Sequence, residues 1–238
     1  MNLEQDRIQL QQLELKCTPI AIAFRSEAPR GVARVSKAAA SGCSYWKLAA
    51  EGYVFYTEPS DHYGCAIGSY THGVDLPPAQ GKELEGMIET MVGLHYLKME
   101  EVPAIPRREQ PFGVVIYAPL AQVPVEPDVV IVRGNAKQMM LLAEATNAAG
   151  VSSASGIMGR PTCAMIPAVM KSQGAAISLG CIGNRVYNEL DDDEMYAALN
   201  GLAISRITDR LEAITSANLQ LKRFHAGRIR TVENYEHS

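Results

Sequence analysis

No apolar run in this sequence approaches the roughly 20 residues that a membrane-spanning helix needs. The best candidates, Pro19–Phe24 and Gly113–Leu120, read as core strands. A surplus of positive charge is lacking too: 22 Lys and Arg stand against 26 Asp and Glu, a formal charge of -4. Nothing electrostatic therefore draws the chain to nucleic acid or to an anionic membrane, and neither partner is expected. The start, MNLEQDRIQLQQLELK, lacks both a basic n-region and an apolar h-region, so no secretory signal is read and a cytoplasmic location is expected. Phosphate-cradling and hydrolase motifs are missing, with no Walker loop, G-x-G-x-x-G, G-x-S-x-G or H-E-x-x-H. Closely spaced cysteine pairs are also absent, which disfavours structural zinc and small-ferredoxin ligation.

What the 238 residues do contain is enough apolar material, 47%, for a sizeable core in a single compact domain. Five cysteines, an odd number, argue against a disulfide framework in a reducing compartment. Helical periodicity marks 3–15 and 81–97, a helix is expected over 44–51, and a further one over 135–148 is capped by Asn135. Apolar and β-branched runs mark strands at 19–24, 53–57, 111–120, 128–134 and 175–180. A short helix is expected at 163–172, another at about 191–199 and a last one at about 205–225, with a frayed tail. The fold expected is α/β, with α+β as the other option.

Two stretches resemble each other: GCSYWKLAAEGYVFYTEPSDHYGCAIG (42–68) and TCAMIPAVMKSQGAAISLGCIG (162–183). Each opens on a cysteine, passes through a short helix to a glycine 9 or 11 residues later, continues as a strand, and ends in Gly-Cys-x-(x)-Gly. A duplication is expected, with pseudo-symmetric strand-helix-strand halves at about 16–120 and 125–225. Halves packed about a pseudo-twofold axis would bring Cys43 and Cys65 toward Cys163 and Cys181. The flanking Gly64, Gly68, Gly180 and Gly183 let backbone approach a sulfur closely. Cys43 and Cys163 sit at expected helix starts, where the positive dipole end favours thiolate. Ligands scattered in this way suit an iron–sulfur cluster, of the four-iron type, inside a larger fold.

Other residues carry less. Cys17 lies outside the repeat and is expected to be a core or surface thiol. His62, three residues before Cys65, reads as an exposed turn histidine more readily than as a ligand. Arg160, Asn184 and Arg185 stand close to repeat cysteines, where they could meet a cluster or an anionic ligand. The run Asp191–Glu194 reads as a helix start.

The segments PIAIAF, CSYWKLAAEG, YGCAIG, PLAQVPVEPDVVIV, RPTCA and SLGCIGNRVY resemble the prokaryotic family called domain of unknown function 169, or ArCR, over roughly 13–211. By resemblance, Cys43, Cys65, Cys163 and Cys181 match the family's recurring cysteines and Cys17 does not. The resemblance groups the chain without implying a mechanism. Three functions stay open: a cluster-binding redox protein acting by electron transfer or on a small molecule, a metal-free small-molecule binding or regulatory protein with 151–160 and Arg185 lining its pocket, and a cysteine-nucleophile enzyme with His62 as base. A homodimer is the default assembly.

Overall fold

The computed structural model describes residues 3–153 and 161–236. Seven strands form one mixed sheet: β1 (Ile20–Arg25), β2 (Ala33–Arg34), β3 (Phe55–Thr57), β4 (Val114–Pro119), β5 (Val129–Asn135), β6 (Ala175–Ser178) and β7 (Glu194–Asn200). Their order across the sheet is β2-β3-β4-β1-β5-β7-β6. Antiparallel β1 and β5 form the central pair, through Ile20↔Ile131, Ala21↔Val130 and Ile22↔Val129. Moving outward on either side, the next two neighbours are also antiparallel: β4 then β3 on one side, β7 then β6 on the other.

The central strands read as continuous apolar runs because both faces are covered. One face carries α2 (Ser44–Ala50) and α6 (Met165–Ser172). Tyr45, Trp46, Met165, Ile166 and Val169 pack there on Ile20, Ile22, Tyr117, Val129 and Ile131. The other face carries α1 (Leu3–Leu10), α5 (Ala136–Ala148) and α8 (Ile204–Glu236), which bury Leu10, Met139, Leu142, Ile204, Ile207 and Leu211 against Ala21, Val130, Val132 and Leu199. The Asn135 side chain caps α5 by accepting from the Gln138 amide, and Gln138 returns the bond to the Asn135 amide. Three further helices, α3 (Ala66–His72), α4 (Pro78–Gly93) and α7 (Ile182–Tyr187), complete the set. No helix among the described residues is long and apolar enough to cross a membrane.

Four expectations need correction. The segment after Asp191 forms β7, buried between β5 and β6, rather than a helix at 191–199. The acidic run caps nothing: Glu194 lies 2% exposed, held by the Arg133 guanidinium. The connection after Thr57, where no helix was expected, holds a 3-10 turn at Pro59–His62 and then α3. The last helix does not fray after His225 but continues to Glu236.

Candidate thiol site

Each of the four repeat cysteines stands at the start of a helical segment. Cys43 precedes α2, Cys65 precedes α3, and Cys181 precedes α7. Cys163 lies in the 3-10 turn Thr162–Ala164 that leads into α6. The Gly-Cys-x-(x)-Gly stretches are therefore turns into short helices, where simple strand ends were expected. All four cysteines line one cavity of about 470 Å³ on the α2/α6 side of the sheet. Cys17 lines a separate polar hollow with Arg133, Asn188 and Tyr196, in keeping with its place outside the repeat.

Hydroxyl groups tie the pairs together. The Ser41 hydroxyl lies 3.0 Å from the Cys43 sulfur and 3.7 Å from that of Cys65. At the other pair, the Cys181 amide donates to the Thr162 hydroxyl at 2.5 Å. Three of the four flanking glycines are tightly confined. A Cβ at Gly68 would sit 2.9 Å from the Cys65 sulfur, one at Gly64 would sit 3.1 Å from the Ala39 carbonyl oxygen, and one at Gly180 would sit 2.8 Å from Leu190 Cδ2. Gly180 also has φ +82°, a left-handed conformation that favours glycine. Gly183 is not so confined, with its nearest neighbour at 3.8 Å.

The thiols are not activated in the way their helix starts suggested. Burial pushes the Cys43 thiol up from its ordinary value, and burial pushes that of Cys163 up further. Charge on the neighbouring cysteines acts in the same direction on both. Desolvation outweighs the short helices' dipoles, so both groups stay protonated unless a cation replaces the proton. Among the described residues, no three His, Cys, Asp or Glu side chains close in on a point that would hold a single metal ion.

Asn184 lines the cavity at 1% exposure, and neither its Nδ2 nor its Oδ1 has a hydrogen-bond partner of ordinary geometry. Its carboxamide lies beside the Cys43 thiol and favours the ionised sulfur. Arg185 points elsewhere, its guanidinium donating to the carbonyls of Leu179, Asp191 and Glu194. Arg160, and all but 151–153 of the loop 151–160, lie outside the described residues.

A family model, DUF169 or uncharacterised ArCR, matches residues 10–209. The chain belongs to this family. Neither the curated proteins nor the solved structures compared with it contain a match. In this DUF169 protein the match ends in the first turns of α8, so it takes in every strand and every cysteine of the cavity.

His62 corrects another expectation for this DUF169 chain, being 1% exposed instead of an exposed turn residue. Its Nε2 meets the Thr57 hydroxyl at 2.8 Å, and its ring packs on Tyr45 and His72. Burial lowers its pKa from 6.5 to about 4, and burial also holds His72 well below the ordinary range. An unfolded chain takes up these protons below pH 6.5, while the folded one resists until about pH 4. Stability is therefore expected to fall as pH drops through that window, with His62 alone contributing about 3 kcal/mol. Thermal melts from pH 7 to 4 measure it. A His62→Gln variant, whose amide can still reach Thr57, should show a flatter profile.

Ser41, Thr162 and His72 were missed as cavity residues, as was the inner face of α4. A signal existed for the hydroxyls, because Ser41 and Thr162 each stand within two residues of their copy's first cysteine. The periodicity at 81–97 marks the apolar face of α4 but not what it faces, and no local pattern marks His72.

Proposed function

We propose that Cys43, Cys65, Cys163 and Cys181 hold an iron–sulfur cluster of the four-iron type, and that the protein is a redox protein acting by electron transfer or on a small molecule. The observation that carries this reading is the meeting of two cysteines from each sequence repeat around one cavity. A single tetrahedral metal ion would need four sulfurs about 2.3 Å from one point, and among the described residues no group of three or more His, Cys, Asp or Glu is placed to hold such an ion. A cluster bridges a wider gap. When bound, it would supply one-electron transfer over a range of potentials set by its surroundings.

The chain's own residues suit that cargo. Ser41 and Asn184 offer donors to thiolate sulfur, and such bonds tune a cluster's potential. The unpartnered Asn184 amide fits an acceptor arriving with the cluster. The elevated Cys43 and Cys163 thiols would release their protons on metal binding, which makes loading favour higher pH. If three of the four cysteines ligate, the open coordination position favours chemistry on a substrate over plain electron transfer.

A nucleophilic cysteine fits less well. Nucleophiles work as thiolates, whereas Cys43 and Cys163 are held protonated, and the histidine nearest in sequence to Cys65 is a buried, weakened base on Thr57. The decisive experiment is purification without oxygen, followed by visible spectroscopy and iron and sulfide analysis. Stoichiometric iron and sulfide with charge-transfer absorbance are expected, and a colourless, folded, metal-free protein would end the proposal. Gly68→Ala is a local probe, since its methyl group must displace the Cys65 sulfur. Iron affinity is expected to fall by about tenfold or more, the scale on which perturbed ligand positions act, with the melting temperature little changed.

A further inference from the structure

The thiols share the lining of the cavity with one face of α4. Leu84, Met87, Ile88 and Met91 recur at helical spacing and line the hollow. Yet no residue of α4 is buried. A helix of this kind ordinarily gains its stability by sinking such a stripe into a core. Here the stripe is spent on open space, and its two methionines can adjust to apolar surfaces of varied shape.

Charge is scarce in that space. No lysine or arginine is among the described lining residues, and Glu83 is the one charged side chain there. His72 reaches the cavity at 1% exposure with both ring nitrogens lacking a hydrogen-bond partner. A neutral imidazole donates from one nitrogen and accepts at the other, so it can receive a hydroxyl or a carbonyl.

We propose that the space between the thiols and α4 takes an uncharged, mainly apolar organic molecule whose single polar group meets the His72 imidazole. This names the substrate class for the cavity proposed above as the cluster site, and rests on that reading of the cavity as the working site.

The test uses the full chain, purified without oxygen and divided into iron-loaded and chelator-treated samples. Binding of N-phenyl-1-naphthylamine is followed by fluorescence, with 1-naphthol, naphthalene and 1-naphthoate as competitors. Saturable binding is expected, with 1-naphthol displacing the probe at a concentration at least about tenfold below that of 1-naphthoate, because a buried carboxylate would meet no Lys or Arg among the described lining residues. Met87→Glu should weaken probe binding by about tenfold on the same ground, while Glu85→Gln, on the exposed side of α4, should not. His72→Phe should weaken 1-naphthol and leave naphthalene unchanged, a difference that mere loss of packing would not produce. Equal or better competition by 1-naphthoate would overturn the proposal. So would unchanged probe affinity in a Met87→Glu protein shown to be folded by circular dichroism. Probe binding without iron in any preparation defeats the cluster reading alone, and iron without probe binding defeats this one alone.

Discussion

A Cys163→Ser protein isolated without oxygen is expected to lose most of its iron and visible absorbance while keeping its fold. Of the two thiols pushed up, Cys163 is the more strongly affected, with charge at Cys65, Cys181 and Cys43 adding to desolvation. Four ionised sulfurs around one small cavity would repel one another, and a cationic core is what makes their joint ionisation favourable. Serine at this site keeps its proton far more firmly and offers a harder ligand, so it forfeits that exchange. Cys43→Ser, Cys65→Ser and Cys181→Ser should follow the same course. Cys17→Ser, whose side chain lines the separate hollow, should match the parent protein. Iron and sulfide per chain, read with the spectrum, measure all five. Undiminished iron in all four cavity variants would defeat the ligand assignment whatever else the protein binds.

Removing Arg133 is expected to be the most costly change outside the cavity. Glu194 opens β7 at 2% exposure and receives two donors from the Arg133 guanidinium of β5, one of them at 2.8 Å. The same guanidinium also bonds the carbonyls of Asn188 and Glu189, closing the turn between α7 and β7. Arg133→Met would strand a carboxylate in the protein interior, a change that costs about 3 kcal/mol or more. In a chain of this size that lowers the melting temperature by on the order of 10 °C. Adding Glu194→Gln should recover a good part of the loss, because the stranded charge is then gone. Thermal or urea melts of the parent, the two single variants and the double variant give the coupling directly. If the double variant is no better than Arg133→Met alone, the carbonyl bonds rather than the buried charge dominate.

Much of the framework was legible because its signals are local. The run at 19–24 is a central strand buried on both faces, and Asn135 with Gln138 marks the start of α5 by a reciprocal cap. Order and spacing in the sequence singled out Cys43, Cys65, Cys163 and Cys181, which line one cavity. What failed did so where neighbours remote in sequence decide the outcome. Asp191–Glu194 looks like the acidic first turn of a helix, and the following Met-Tyr-Ala-Ala-Leu has no alternation to betray a strand. It becomes one because β5 and β6 pair with both its edges and both its faces are covered. Helix α3 was hidden by its glycine and β-branched residues, which lower intrinsic helicity. It ends where Gly73 turns left-handed at φ 76°. His62 looked exposed because a turn usually is, and burial against Tyr45 and His72 follows from the tertiary packing of that turn.

The central seam has a consequence for biosynthesis. Strand β1 finds one partner, β4, within the first half of the chain, but its other edge waits for β5, which begins more than a hundred residues later. Until then a ribosome-bound first half displays Ile20, Ala21 and Ile22 along an unpaired edge whose one charged residue is Arg25 at its end, a template for pairing with other chains. Expression of residues 1–125 alone should therefore yield aggregate, and the second half acts toward the first as the strand that closes its open edge.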